Sequence, residues 1–222
     1  MKRPTRKPAK GRGSGRGRGT KSAKGTGAKA AKPARPAKRA KQAKATKQSG
    51  EGQSPWAAAF APRAPGERRY WLVKSEPEVF SFDALLAAPG RTTFWDGVRN
   101  FAARNFLRDG MKLGDQVFFY HSMANPQAIV GVCEVVREGY PDASALDPKS
   151  EYFDPDSDAA APTWYMVDLR AVEKLPRPVT LQEIKSRREL ANMALVRIGR
   201  LSVTPVTPDE WRVILAMASG AG

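Results

Sequence analysis

The stretch GDQVFFYHSMANPQAIVGVCEVV, residues 114–136, contains two strong strand signals. Its first part, DQVFFYHS, is a run of aromatic and branched residues that predicts a strong β-strand after the turn at Gly114-Asp115. A second apolar run, from Ala128 to Val136, predicts another strand, which is entered through Asn125-Pro126.

The segments on either side predict further strands and several short helices. Strands are predicted over YWLVK (70–74), TWYMVDLRAVEKL (163–175) and residues 196–203, and TTFW (92–95) is predicted to be a short strand or an extended loop. Helices are predicted over residues 80–87 with Ser81 as N-cap, 100–108, 181–193 and 208–218. Long connections separate the strands, without a repeating strand–helix alternation. This order predicts an α+β fold: a mixed, partly closed β-barrel flanked by short helices.

The net charge of the chain is confined to its first quarter. Residues 1–55 contain 18 of the 38 Lys and Arg residues and one acid, Glu51, whereas residues 56–222 contain 20 basic and 21 acidic residues. The pI of about 10.3 therefore describes a tail and not the fold. Because the tail has too little apolar content to form a core, we divide the chain into a disordered basic tail (1–55), a linker (56–68) and one folded domain (69–218).

The composition of the tail predicts general binding to nucleic acid. Residues 11–19, GRGSGRGRG, resemble an AT-hook, in which Arg flanked by Gly enters a narrow minor groove, although RGG-type RNA-binding segments look similar. Residues 29–47, KAAKPARPAKRAKQAKATK, resemble histone H1 tails, whose dispersed Lys residues neutralise phosphates. A solubilising arm and an organellar transit peptide are the weaker alternatives. The candidate phosphate contacts are Arg12, Arg16, Arg18, Lys38, Arg39, Lys41, Lys44 and Lys47.

Cysteine and histidine usage excludes several classes of site. Cys133 is the only cysteine, so no intrachain disulfide forms, and its apolar surroundings indicate a buried hydrophobic residue. His121 is the only histidine, which leaves no Cys/His cluster for a metal, and no Gly-rich phosphate-binding loop is present. No apolar run is long enough to span a membrane. We therefore expect no metal, no cofactor and no membrane association, and we predict a soluble, intracellular monomer.

Polar residues follow three hydrophobic segments, and this pattern predicts a small binding pocket. Trp95 is expected in a loop of residues 95–100 before a helix, where its ring stacks on an extruded base while nearby polar groups bind the base edge. The alternative is that Trp95 belongs to the core and that Asp96 and Arg99 form a buried ion pair. The candidate pocket residues are Lys74, Ser75 and Glu76 after the first strand, then Trp95, Asp96, Val98, Arg99 and Asn100, and finally Tyr120, His121 and Ser122.

The same segments resemble those of the EVE domain family. The motifs YWLVKSEP, FWDGVRNFAARN, GDQVFFYHS, GVCEVVREGYPD, DPKSEYFDP, WYMVDLRAV and LSVTPVTPDEW occur in that order between residues 69 and 218, and the tail lies outside the resemblance. The resemblance implies a PUA-like pseudo-barrel, related to YTH and ASCH domains, that recognises modified bases, with modified cytosine in DNA first. In the comparison with YTH domains, Lys74 and Ser75 match the end of the first strand, and Trp95 matches the first tryptophan of the aromatic cage.

The primary hypothesis is a non-enzymatic reader, in which the domain captures one modified base of DNA and the tail holds the surrounding backbone. Two alternatives stay open: a reader of modified RNA, and an enzyme that acts on modified nucleobases or nucleotides with His121 as its base. No nucleophile, metal motif or cofactor motif accompanies His121, which favours binding over catalysis. The expected location is the nucleus in a eukaryote, and the cytoplasm or nucleoid in a bacterium.

Overall fold

A computed structural model describes residues 56–220 of the chain. The basic tail lies outside the described residues. The same holds for all of its candidate phosphate contacts: Arg12, Arg16, Arg18, Lys38, Arg39, Lys41, Lys44 and Lys47.

One mixed sheet is built from six strands: β1 (Tyr70–Ser75), β2 (Thr92–Trp95), β3 (Gln116–His121), β4 (Ala128–Pro141), β5 (Tyr165–Thr180) and β6 (Val203–Val206). Their order is β2-β5-β4-β3-β1-β6. β1 and β3 are parallel, and the other neighbouring pairs are antiparallel. The predicted α+β fold with a mixed sheet is confirmed. The pseudo-barrel is open, because the edge strands β2 and β6 do not pair with each other within residues 56–220.

Short helices connect and cover the strands: α1 (Ala57–Phe60), α2 (Phe82–Ala87), α3 (Phe101–Asn105), α4 (Leu181–Ser186), α5 (Ala194–Arg197) and α6 (Pro208–Ser219). Ser81 caps α2 as predicted, because its hydroxyl accepts from the amide of Ala84. Thr180 and Thr207 each begin a helix with a capping box, in which a Glu three residues later accepts from the cap's own amide. Local sequence signals therefore define where these helices begin.

The sheet has two buried faces, since successive side chains of a strand point to opposite sides. One face, here called the Trp71 face, packs against α2 and the segment 101–110. The other, the Leu72 face, packs against α4, α5 and α6. The Trp71 face carries Trp71, Val73, Trp95, Val117, Phe119 and Val167, and the Leu72 face carries Leu72, Phe118, Tyr120, Ile129 and Val132.

β4 and β5 form a long antiparallel ribbon. Ala128 pairs with Thr180 at one end and Pro141 pairs with Tyr165 at the other, with four register shifts between them. Such shifts bend and twist paired strands. The loop of residues 142–164 joins the strands at the Pro141 end, whereas α4 follows directly after the Thr180 end.

Residues 56–68, which the sequence predicts to be a linker, pack on the domain. Trp56 meets the ring of Phe106 edge-on, with 5.4 Å between ring centroids. Arg63 donates to both carboxylate oxygens of the fully buried Asp115, at 2.6 and 2.7 Å. These contacts hold the segment against Phe106 and against Asp115, the residue before β3.

Two predicted elements differ from the structure. The predicted strand over 196–203 is wrong: α5 ends at Arg197, and β6 begins only at Val203. Leu195 and Val196 pack against the Leu72 face from within a helical turn, so tertiary packing outweighs the branched composition of this segment. The predicted helix over 100–108 is helical from Phe101 to Gly110, but its second half, Phe106–Gly110, is a π-helical turn.

Candidate nucleic-acid interface

Parallel pairing of β1 and β3 brings two of the three predicted segments to one edge of the sheet. Ser75 and His121 are register partners at the carboxyl ends of their strands. The amide of Ser122 donates to the carbonyl oxygen of Ser75 at 2.9 Å. We call this edge, formed by Lys74–Ser75 and Tyr120–Ser122, the site edge.

The polar side chains on the Trp71 side of the site edge bind nearby backbone. Ser75 is 3% exposed, and its hydroxyl donates to the carbonyl oxygen of Phe80 at 2.7 Å. His121 Nε2 accepts from the amide of Phe82, the first residue of α2, at 3.1 Å. An Nε2 that accepts requires the hydrogen on Nδ1, so His121 is a neutral imidazole. Together these two residues hold the turn between β1 and α2.

Lys74 and Tyr120 lie on the opposite side of the sheet from His121. Lys74 Nζ donates to the carbonyl oxygen of Gly199 at 2.9 Å, and burial lowers the pKa of its ammonium group. The Tyr120 hydroxyl donates to Gln127 Oε1 at 3.2 Å, and burial raises its pKa to about 12. Because of the two-residue period of a strand, these two side chains cannot line the same pocket wall as Ser75 and His121.

Trp95 lies in a strand and not in the predicted loop. It is the last residue of β2, pairs with Val167 and is 5% exposed. Its ring meets Phe119 edge-on at 5.5 Å, and Phe119 in turn meets the ring of His121 at 5.7 Å. Of the two predictions for TTFW, the short strand is confirmed, because the segment pairs with β5, and the placement of Trp95 in a loop is wrong. The three rings nevertheless connect Trp95 to the site edge.

The residues after Trp95 lead to a second polar cluster, centred on Arg99 and Asp142. Arg99 donates to Asp142 Oδ2 at 2.7 Å, and the Asp142 side chain is fully buried. The Ser144 hydroxyl and the Gly97 amide also donate to this carboxylate, at 2.6 and 3.0 Å. Burial acts to raise the pKa of Asp142, but hydrogen bonds from Arg99 and its neighbours outweigh burial, so the pKa lies below its ordinary value.

Arg99 also ties the loop 142–164 to the segment after β2. Its Nε donates to the carbonyl oxygen of Tyr152 at 2.9 Å, and its guanidinium lies 5.3 Å from the ring of Trp164. Gly97 has a φ of +74°, and a Cβ at this position would lie 2.8 Å from the Tyr152 ring. Only glycine therefore fits at this close approach.

The remaining candidates have structural partners or lie at the surface. Asn100 caps α3, since its side-chain oxygen accepts from the amides of Ala102 and Ala103 at 2.9 and 3.1 Å. Val98 is 5% exposed and belongs to the core. Glu76 is exposed, and Asp96 is half-buried.

Four residues that surround Arg99 were not predicted from the sequence: Asp142, Ser144, Tyr152 and Trp164. Asp142 directly follows a strand, as the other candidates do, and this signal could have identified it. Within residues 56–220 there is no group of three or more His, Cys, Asp or Glu placed to hold a metal ion. Across the same range, none of the helices combines the length and apolar character that a membrane span requires.

The neutral form of His121 in the folded domain predicts that the free energy of unfolding decreases at acidic pH. Burial lowers the pKa of His121 below its ordinary value of 6.5, with a smaller opposing effect of Asp83. Above about pH 6.5 the imidazole is neutral in both folded and unfolded chains, and its contribution is complete. As the pH falls below that value, the unfolded chain takes up the proton first, so the free energy of unfolding decreases.

We expect His121→Gln to flatten this decrease between about pH 7 and pH 5. The Gln amide oxygen can still accept from Phe82, but it does not titrate. Urea unfolding of both proteins at the two pH values measures the difference, and no other histidine interferes, since the chain has only one. An equal decrease in the variant would show that His121 does not carry the effect.

Known proteins share both the sequence and the fold of this domain. The EVE domain matches residues 69–217, which is nearly the whole folded part. The chain belongs to the EVE domain family. The family predicted from the motifs is thus confirmed, and the match ends within α6, as the folded domain does.

Similar EVE domain proteins come from organisms as different as Homo sapiens and Leishmania major. Thymocyte nuclear protein 1 of Homo sapiens is 41% identical over 165 residues, which cover 67% of this chain and 73% of that protein. A hypothetical protein from Leishmania major has a TM-score of 0.66 at 48% identity, covering 69% of this chain and 96% of that chain. The human THYN1 protein, solved in complex with 5-methylcytosine containing DNA, has a TM-score of 0.66 at 40% identity, covering 68% and 97%.

Proposed function

We propose that this chain is a non-enzymatic reader whose EVE domain binds a modified base, 5-methylcytosine in DNA, while its basic tail binds the phosphate backbone. The observation that carries the proposal is the human THYN1 protein, which was solved in complex with 5-methylcytosine containing DNA. That protein is 40% identical to this chain, and the likeness covers 97% of its length. Identity at this level over a whole domain supports the same class of ligand.

The connected rings supply the chemistry that base recognition needs. A flipped base is bound by stacking on aromatic faces and by hydrogen bonds to its edge. The proposed pocket uses Trp95 as the aromatic platform, and the polar residues proposed around it are Ser75, Asp96, Arg99, Asn100 and His121. Since Trp95 is 5% exposed and meets Phe119 edge-on, a base reaches its ring only when neighbouring side chains shift.

The geometry of His121 favours binding over catalysis. Its Nε2 lone pair accepts from the amide of Phe82 at 3.1 Å, and its other nitrogen carries the hydrogen. A general base needs a free lone pair within reach of the proton that it removes. The lone pair of the proposed catalytic base is thus already used in a structural hydrogen bond, which favours the binding function, and the neutral Nδ1–H can donate to a base edge or to backbone.

A binding titration with matched oligonucleotides tests the proposal. The full chain is titrated by fluorescence anisotropy with a DNA duplex that carries one 5-methylcytosine, the same duplex with cytosine, and a single-stranded RNA of the same sequence with 5-methylcytosine. We expect the methylated duplex to bind most tightly. Equal affinity for the two duplexes would contradict the reader function, and a preference for the modified RNA would assign the RNA alternative.

Removal of residues 1–54 separates the two proposed parts within the same titration. This variant lacks 18 basic residues and one acidic residue, so its affinity for the unmodified duplex should fall strongly and depend less on salt. The ratio of affinities for methylated and unmethylated duplex should remain, because the tail does not touch the base edge in this proposal. If the truncated chain has a normal thermal melt but binds the two duplexes equally, the proposed separation of roles between tail and domain is wrong.

A further inference from the structure

A cationic segment lies on the folded domain itself, although the domain as a whole is nearly neutral. Residues 185–200 contain five basic residues and one acid, Glu189. The other residues from Trp56 onward contain 15 basic and 20 acidic residues. The positive charge of the domain is thus concentrated in one short stretch, which we call the 185–200 surface. Its basic residues are Lys185, Arg187, Arg188, Arg197 and Arg200.

These five side chains form no ion pair with another described residue. Nine of the other 15 Lys and Arg residues in the domain pair with a carboxylate within 4.0 Å, whereas none of the five does. Four of them are exposed, and Arg187 is half-buried. Like charges held together at a surface repel one another, and a polyanion relieves that repulsion.

The segment is anchored firmly beneath its charges. Ile184, Leu190 and Met193 are completely buried on the Leu72 face, and Leu195 is 4% exposed. Backbone hydrogen bonds run from turn to turn across the stretch, for example from the amide of Arg197 to the carbonyl oxygen of Met193 at 3.1 Å. The cations therefore stand on a rigid platform and not on a free loop, which lowers the entropic cost of ordering them when a ligand binds.

One end of the segment reaches the site edge, through Lys74 on the Leu72 side of the sheet. At this end, the carbonyl oxygen of Gly199 accepts from Lys74 Nζ at 2.9 Å, and that of Ser202 accepts from the Lys74 amide at 2.9 Å. Before the other end, the amide of Leu181, the first residue of α4, donates to the carbonyl oxygen of Gln127 in the connection between Ser122 and β4. The segment is therefore attached, through Lys74 on the Leu72 side of the sheet, to the edge whose Trp71 side carries Ser75 and His121 of the proposed base site.

We propose that the 185–200 surface binds the phosphates of the strand next to the recognised base, and so positions DNA on the folded domain independently of the tail. The proposal rests on the proposed reader function, because it places the surface beside the base site. Contacts to phosphates fix register and orientation without reading sequence, while the base edge supplies selectivity. Lys and Arg that neutralise phosphates also make the affinity depend on salt.

The test uses the full chain with four changes: Lys185→Gln, Arg188→Gln, Arg197→Gln and Arg200→Gln. A control protein has the same reduction in charge at exposed cations elsewhere: Arg68→Gln, Arg91→Gln, Lys149→Gln and Arg212→Gln. Both carry the same tail, whose contribution cancels in the comparison. Affinity is measured between about 50 and 200 mM NaCl, with the methylated duplex, the unmodified duplex and single-stranded RNA.

We expect the slope of log affinity against log salt to decrease by about 0.9 for each phosphate that is no longer neutralised, and by about 3 to 4 in total. The affinities for the two duplexes should fall by the same factor, and the control should keep the wild-type slope. All changed side chains are exposed, so the thermal melts of both variants should match that of the wild type.

The outcomes separate this proposal from the reader function. A variant slope equal to that of the control overturns the 185–200 surface, whatever the wild-type preference for methylated duplex. A reduced slope in a chain that does not prefer methylated duplex supports the surface and contradicts the reader. A slope that decreases with RNA alone contradicts the assignment to duplex DNA, and absence of binding to every probe overturns both proposals.

Discussion

Replacing Trp95 with alanine should lower the free energy of unfolding by about 3–5 kcal/mol. Trp95 is 5% exposed, and its ring packs edge-on against Phe119 in the core of the Trp71 face. Truncation at the last residue of β2 leaves a cavity that the paired strand β5 cannot fill. Urea unfolding monitored by circular dichroism measures the decrease. A decrease below about 1 kcal/mol would mean either that neighbouring side chains move to fill the cavity or that the ring is not part of the core.

A milder change at the same position tests the proposed stacking role. Trp95→Phe keeps an aromatic ring in the core, so the chain should remain folded, but the smaller ring offers less area to a base. We expect affinity for the methylated duplex to fall by up to about 1–3 kcal/mol, with a smaller effect on the unmodified duplex. Trp211→Phe is the matched control, because Trp211 is 6% exposed and stacks on Phe118 of the Leu72 face. Equal effects of the two variants on selectivity would remove Trp95 from the site.

The second large effect is expected for Arg99→Ala. This change leaves the carboxylate of Asp142, whose side chain is fully buried, without its charged partner at 2.7 Å. Breaking one half of a buried ion pair costs about 3–5 kcal/mol, because the remaining charge stays in the protein without compensation. Denaturant unfolding measures the change. The control Arg170→Ala removes an exposed pair with Glu134 and should cost about 0–1 kcal/mol.

A double variant shows whether the charge itself is the cause. Asp142→Ala together with Arg99→Ala leaves no buried charge at this pair, so the double variant should be less unstable than the sum of the single variants. The difference from that sum is the coupling energy of the pair. Strict additivity would mean that Arg99 acts through its contacts with Tyr152 and Trp164 and not through Asp142.

Local signals in the sequence were sufficient for most elements. The apolar run in residues 116–121 and the cap at Ser81 produced the strand and the helix that they predict. The two-residue period of a strand already separates Lys74 from Ser75 and Tyr120 from His121, so the division of the candidate site between two faces was readable from the sequence. Grouping these neighbours by their position along the chain overlooks that period.

Other features depend on partners that are distant in the chain. Trp95 is a strand residue because β5 pairs with it more than 70 residues later, at Val167. Arg99 donates a hydrogen bond to Asp142, which lies 43 residues later in the sequence, and no local pattern predicts that pairing. Whether the sheet closes also depends on pairing between distant segments, here the edge strands β2 and β6. Secondary structure was thus more predictable than the contacts that build the site.

The two ends of the β4–β5 ribbon lead into segments of opposite charge. At its Pro141 end the chain enters residues 142–158, which contain six acidic residues and one basic residue. At its Thr180 end the chain enters α4 and then the 185–200 surface. Charges of opposite sign at the two ends of one rigid element form a dipole, which experiences a torque in the field of a polyanion. The domain should therefore turn its site edge towards DNA during approach, so that a larger share of collisions begins in a productive orientation.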